Sequence, residues 1–511
     1  MSSDWAHAPD VVVVGAGVAG LYAGWRLQRA GHQVLVVESA RHVGGRAAGM
    51  DVPGSPGRPL DLGAMRFTSD HGLVRAMADH LAVPYRQLAA TGHADTLFYL
   101  RGRRFRAGEI AGDPDRVPYD VGPDARGRTP DELFEDVIGR VLDKAGAVVP
   151  RTRRDWNRVK EELELGGRPM FEYGFWNTVS DHLDLESYAY LRDGNGYDCN
   201  NWSAGEVMQT QLAGFGRAVR YFRFRDGTRS LVHALRRAVE SHGGQVRTGT
   251  EVRGVRLPGP GQRIELSLRE TGGDTREVTV PALVLAVPPR ALDLMALDVT
   301  AVDQPSWRQD VESVVSHRVL RVVLGFAEPW WEDVVGRGAT RSLTDLPIRQ
   351  VYYLDDHRVS GGDAVLSVAC NDDRAYDFFT PAPALAHWRR GGALDGPDPH
   401  QLTRIGQDVI AQLRLLHGTA VPSPTWMVVR DWGHDPFGGG YHGWRPGRRG
   451  SHVAARMRRP WPRHDVFVCG SAYSDIPTWM EGALSNTERL VQDHFGLASP
   501  DWLPPATYLG W

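Results

Sequence analysis

Two periods govern the apolar positions of the first forty residues. Val11–Val14 is a short unbroken β-branched run, the pattern of a parallel strand buried on both faces. Gly15-Ala16-Gly17-Val18-Ala19-Gly20 follows, then Leu21–Ala30 with helical apolar spacing and a closing Gly31. A second buried run, Val34–Val37, ends at Glu38, so the order predicts a βαβ unit. From about Pro118 to Gln211 the pattern changes to long helical stretches, such as Pro130–Lys144 and Trp156–Leu165, without strand alternation. An inserted helical region is expected there. Strand-like runs return at Glu251–Leu257, Ala282–Val287 and Val319–Phe326, with Pro258-Gly259-Pro260-Gly261 as a turn between two strands. Thr380–His400, rich in Pro, Gly and Ala, predicts an exposed loop. Val466–Cys469 predicts another buried strand and Trp479–His494 a helix.

Composition narrows the class. The 511 residues are 42% hydrophobic and 24% charged, ordinary for a globular chain of two to four domains. A net charge of −3 gives no electrostatic case for nucleic acid or an anionic membrane. Cys199, Cys370 and Cys469 are far apart and form no metal-ligand spacing, which argues against disulfides and metal and fits a reducing cytoplasm. No apolar stretch is long enough to span a bilayer, and a core strand by Val11 leaves no room for a signal peptide. The expectation is a cytoplasmic protein.

The glycine run carries the first chemistry. Gly15 permits a tight turn, Gly17 lets backbone approach a pyrophosphate, and Gly20 lets helix and strand pack closely. The helix N-terminus favours phosphate charge. Glu38 can accept hydrogen bonds from an unphosphorylated ribose, which fits FAD or NAD and disfavours NADP.

Val43-Gly44-Gly45-Arg46 resembles the loop that follows the βαβ unit in the flavin amine oxidase family, and three further pieces match that family in order. They are Thr248–Val255, Ala286-Val287-Pro288, and Val466–Gly470 followed by Trp479–Leu484. The resemblance implies bound FAD, with Arg46 at phosphate, Val252 at adenine, and Gly45, Ala64, Met65, Gly470, Ser471, Trp479 and Met480 against the cofactor. Gly440 stands where relatives carry a flavin-linked cysteine, so the FAD is expected to be non-covalent. The implied architecture is α/β (α+β). A Rossmann-type FAD-binding domain (1–70, 225–290 and 455–511) joins a substrate-binding domain with a mixed sheet (71–117 and 291–454) and a helical insertion (118–224). A homodimer is the expected assembly.

Gly63-Ala64-Met65-Arg66 is similar to the segment of L-amino acid oxidases and amino acid 2-monooxygenases whose arginine grips the substrate carboxylate. A planar guanidinium suits that task because it binds both carboxylate oxygens at once. Thr344–Tyr353 resembles a segment in which one tyrosine joins that grip. Alternation sends Tyr352 and Tyr353 to opposite faces, so only one of them can. Tyr441 and Trp479 match the two aromatics that flank the amine. The implied activity is oxidation of a free L-amino acid to an imino acid and then a 2-oxo acid, with ammonia and hydrogen peroxide formed from O2. Oxidative decarboxylation to an amide is the alternative; an amine oxidase or a flavin-binding subunit without catalysis are remoter ones. Three positions depart from the family: Ser471 for an acid, Thr478 for glycine, and Arg321 for a lysine that serves oxygen chemistry. Asp193, Asp198, Glu206 and Thr478 are candidates for the side-chain pocket. Whether that pocket takes a basic or an aromatic side chain stays open.

Overall fold

A computed structural model describes residues 9–88, 93–197, 202–259, 261–298, 304–354, 361–389 and 399–511. Asp198, Cys199 and Pro260 lie outside them. β1 (Val11–Val14), α1 (Val18–Arg29) and β2 (Val34–Glu38) form the expected unit. They belong to a five-stranded parallel sheet in the order Gln245–Thr248, β2, β1, Ala282–Leu285, Val466–Val468. Strands from three distant parts of the chain meet there because each is an apolar run that must be covered on both faces. α1, Arg229–Ser241 and Met480–Phe495 cover one face, with Leu21, Trp25, Leu235 and Leu484 fully buried. Gly72–His80, which the sequence assigns to the substrate domain, packs into this same core through Leu73, Val74 and Met77.

The second body is an eight-stranded mixed sheet. Its order is Leu385–Arg389, Trp426–Asp431, Leu320–Phe326, Ala364–Cys370, Gln350–Tyr353, Arg341–Thr344, Leu97–Leu100, Arg103–Arg106. Neighbours are antiparallel except Arg341–Thr344 against Leu97–Leu100. Leu385–Arg389 corrects the expected loop at Thr380–His400: it pairs with Trp426–Asp431, and a helix begins at Pro399. Local Pro and Gly content set the expectation; a tertiary ladder overrode it.

The helical insertion is present. Pro130–Lys144 is a helix as expected, opened by a Thr129–Glu132 capping box. Arg153–Glu162 follows but ends short of the expected Leu165, which lies instead in a two-stranded ribbon of Glu164–Leu165 and Arg168–Pro169. Thr210–Phe215 is π-helical. A buried ionic cluster ties these helices to the segment before Met480–Phe495: Arg153 pairs with Asp475, and the Lys160 ammonium donates to the Asp475 carbonyl at 2.6 Å and to Glu206 at 3.3 Å. Among the described residues no helix is long and apolar enough to cross a membrane.

Candidate active site

A cavity of about 780 Å³ runs from the glycine turn to the insertion. That is at the large end of ligand pockets, which span roughly 300–1,000 Å³. Gly15, Gly17, Glu38, Gly45, Arg46, Ala64, Met65, Arg66, Val252, Arg321, Tyr352, Tyr441, Gly470, Ser471, Thr478, Trp479 and Met480 all line it. Gly20 does not. A Cβ there would lie 1.8 Å from the Gly15 carbonyl, so its role is to let α1 start flush against β1. A Cβ on Gly17 would meet nothing nearer than 4.0 Å, so the space it leaves faces the cavity.

Glu38 closes the turn by accepting the Ala16 and Ala40 amides at 2.8 and 2.9 Å. Arg46 is held by neutral partners. Its guanidinium donates to Ser471 Oγ at 3.0 Å, to His442 Nδ1 at 2.9 Å and toward the Gly440 carbonyl at 3.5 Å. Burial draws its pKa down to about 10. Among the described residues no carboxylate pairs with it. A buried cation without a counter-charge is costly, and a diphosphate supplies the missing charge. Glycines leaving open space, an acid hydrogen-bonded to the turn and this arginine together fit a dinucleotide.

Arg66 repeats the pattern further in. The Gly63 backbone sits against Arg46, with Ala64 donating to the Arg46 carbonyl at 3.0 Å, and this close approach carries Arg66 to the inner wall. Its guanidinium lies 4.1 Å from the centroid of Tyr221 and 5.7 Å from that of Phe215. Among the described residues it has neither hydrogen-bond acceptor nor carboxylate. A guanidinium packed on aromatic faces but with its donors unspent is a receptor for an anion.

Tyr352 and Tyr353 separate as alternation requires. Tyr352 lines the cavity, its hydroxyl between Gln350 and the Tyr197 hydroxyl at 3.3 Å. Tyr353 points the other way and bonds Ser342 and His417 at 2.7 and 2.8 Å, stacked on Trp331. Tyr353 is therefore a core residue, a correction to its candidate role. Asp193 and Glu206 are corrected too. Asp193 receives Tyr119 at 3.0 Å and Arg192, while Glu206 is buried against Lys160; neither reaches the cavity. Thr478 does, with its hydroxyl unpartnered among the described residues. Arg321 spans the Asp61 and Gly63 carbonyls at 3.3 and 3.4 Å and Met65 Sδ at 3.7 Å.

Sequence reasoning missed several wall residues: Tyr197, Phe215, Gln211, Asn371 and Trp432. It also missed His71, which meets the Trp479 ring edge-on at 4.8 Å, and His317, which stacks under Tyr441 at 5.2 Å. Only a three-dimensional neighbourhood reveals them. Burial pushes His71 down to about 3, His317 to about 4, and His442 well below the usual imidazole range, so all three are neutral. The unfolded chain binds a proton at each below pH 6.5 that the folded chain refuses. Stability is therefore present above pH 6.5 and lost on acidification, by about 1.3 kcal/mol for each histidine between pH 7 and 5.5. Melting curves at the two pH values should differ by several degrees, the lower pH giving the lower Tm.

The fold and cavity combine a βαβ glycine turn with an arginine, Arg66, that has no acceptor of its own among the described residues at the inner end. The sequence matches the profile of the flavin containing amine oxidoreductases over residues 18–493, and the protein belongs to that family. It is 23% identical over 491 residues to L-amino acid oxidase Bs29 of Bothriechis schlegelii, covering 94% of this chain and 89% of the relative. It is 24% identical over 522 residues to aplysianin-A of Aplysia kurodai, covering 95% and 90%. Among solved structures, putrescine oxidase bound to putrescine superposes with a TM-score of 0.69 at 18% identity, covering 96% of this chain and 99% of that one. Cyclohexylamine oxidase from Brevibacterium oxydans IH-35A gives 0.69 at 18%, covering 95% and 99%. At these identities the structural likeness speaks for the fold.

Proposed function

We propose that this protein is an FAD-dependent L-amino acid oxidase. The observation that carries the reading is Arg66, a half-buried guanidinium in the cavity wall with no acceptor of its own among the described residues. An amine without a carboxylate would leave that charge uncompensated. The names of the amino acid oxidase relatives agree with the same substrate class.

FAD, when bound, supplies a two-electron acceptor; the protein supplies orientation and charge. Arg66 binds both carboxylate oxygens, which fixes the direction of Cα, and the Tyr352 hydroxyl can join the grip only by turning its proton from Gln350 to one of those oxygens. Tyr441 and Trp479, held by His317 and His71 respectively, wall the amine. Overall, the amino acid, O2 and water become a 2-oxo acid, ammonia and hydrogen peroxide. Holding the reacting bond in one orientation is the main source of rate here. Arg46 and the α1 N-terminus take the diphosphate, and Glu38 the ribose.

The flavin is non-covalent in this reading. A Cβ on Gly440 would lie 2.7 Å from the Val319 side chain, so the position that would hold a linking cysteine has no room for one. Acid precipitation should release all flavin into the supernatant; yellow retained in the pellet contradicts this.

Arg321 favours one second reading. A permanent cation beside the Gly63 backbone, where the family has lysine, bears on how long peroxide stays with the imino acid. A 2-monooxygenase retains it and decarboxylates. Mass spectrometry of the product decides: a 2-oxo acid with equimolar ammonia supports the oxidase, whereas an amide one carbon shorter supports the alternative.

A further inference from the structure

Helix Arg153–Glu162 spends one face on a single residue. Arg153, Asn157 and Lys160 stand four and then three positions apart, and all three reach Asp475. The Arg153 guanidinium donates through Nε to Asp475 Oδ2 at 2.6 Å and through Nη2 to the other carboxylate oxygen, a bidentate pair. The same Nη2 donates to Ser485 Oγ at 2.8 Å. Asn157 donates to Asp475 Oδ2 at 2.9 Å and Lys160 to the Asp475 carbonyl at 2.6 Å. Arg153 Nη1 lies 3.7 Å from Glu481. The Glu481 carboxylate in turn accepts the Leu73 and Val74 amides at 3.0 and 2.9 Å, in the first turn of Gly72–His80.

Asp475 and Glu481 are the two ends of the short stretch that brings Thr478 and Trp479 to the cavity. The other elements of the cluster carry the groups that touch the Trp479 ring. His71, directly before Gly72–His80, meets that ring edge-on at 4.8 Å. Glu206, bonded to Lys160, lies on Ala204–Gln209, which runs into the π-helical Thr210–Phe215. Phe215 packs against the ring at 5.7 Å, and a Cβ on Gly214 would lie 3.2 Å from Trp479 Nε1. The ring thus sits in a slot whose sides are tied to one ionic cluster. None of Arg153, Asn157, Lys160, Glu206, Asp475 and Glu481 is among the described residues that line the cavity.

Burial pushes the Glu206 and Glu481 carboxyls up. At Asp475 burial acts the same way, but Arg153 outweighs it and holds that carboxyl below its usual range. Arg153 therefore commits its charge to Asp475. A buried charge network adds little stability over apolar residues of the same volume, and it is of most use where one arrangement must be fixed.

We infer that Arg153 is a positioning residue for the oxidation: acting through Asp475 and Glu481, it fixes the Trp479 ring on the amine side of the cavity. The inference rests on the amino acid oxidase reading, which gives Trp479 its place beside the amine. A displaced ring misaligns the reacting bond while Arg66 keeps its hold on the carboxylate, so the reduction step suffers and binding does not.

The test is a double-mutant cycle on anaerobic flavin reduction, in holoenzymes matched for FAD content, using whichever proteinogenic L-amino acid reduces the wild type fastest. Arg153→Lys keeps the charge without the fork. It should lower the limiting reduction rate about tenfold and change the half-saturating concentration by less than about twofold. In a Trp479→Leu background the same substitution should cost less than about twofold, because the ring it acts through is gone. A purely structural arginine would lower Tm and give the same rate factor in both backgrounds. Equal factors with and without the Trp479 ring, or an Arg153→Lys enzyme as fast as the wild type, overturn the inference. Should Arg153→Lys yield no holoenzyme, Asn157→Ala, which removes one bond to Asp475, is read in the same cycle with the same criterion. Reduction by an amine alone would overturn the amino acid reading instead, and the cycle run with that amine then decides the inference.

Discussion

Arg66→Ala is expected to lower the second-order rate of flavin reduction by L-amino acids on the order of 10³-fold. Two charge-assisted hydrogen bonds to a carboxylate contribute about 1.5–3 kcal/mol each, and losing both also frees the substrate to rotate about Cα. The loss should fall on both binding and the reduction step, since the same two bonds anchor and orient. Thermal stability should hardly change. The side chain makes cation–π contacts with Tyr221 and Phe215 but no ion pair among the described residues, and removing it also removes a half-buried charge that the apoprotein leaves uncompensated. A structural arginine would behave oppositely, with lost stability and retained selectivity. Arg66→Lys keeps the charge without the fork and should recover only part of the rate.

Arg46→Ala should weaken FAD binding by on the order of 10²-fold while leaving riboflavin affinity almost unaltered, because the lost contact is to phosphate. Titration of the apoprotein with each flavin measures this directly. The partners of Arg46 are a serine, an imidazole held neutral by burial, and a carbonyl, so its charge is not spent inside the protein. Ser471, where the family has an acid, is part of that arrangement: a carboxylate at the same place would compete with the diphosphate for the guanidinium. Equal loss for FAD and riboflavin would mean instead that Arg46 acts by holding the Gly440–His442 strand in place.

The cofactor half of the site was legible in the sequence because its signals are local. A turn of three glycines, an acid at the end of the next strand and a Gly-Gly-Arg loop each have a physical reason at short range, and each meets the cavity as its position implied, apart from Gly20, which serves packing. The substrate half was legible only by type. Alternation required Tyr352 and Tyr353 to part, but which one turned inward depended on the neighbouring strand Arg341–Thr344 and on His417, far along the chain. Asp193 and Glu206 looked available because their partners are remote; Lys160 is 46 residues from Glu206. The mixed sheet was hardest to see. Leu385–Arg389 is a strand only because Trp426–Asp431 is beside it. His71 carries no sequence signature at all, since an imidazole becomes informative only once its burial and its edge-on partner are known.

If Arg66 holds a substrate carboxylate, the holoenzyme will tell an L-amino acid from the amine formed by its decarboxylation when each is mixed with it without oxygen and the flavin band is followed. The amino acid is expected to bleach the flavin at least about a hundredfold faster than the amine, in line with two charge-assisted bonds. An amine that bleaches it as fast as the amino acid, or faster, would mean that Arg66 does not hold a carboxylate.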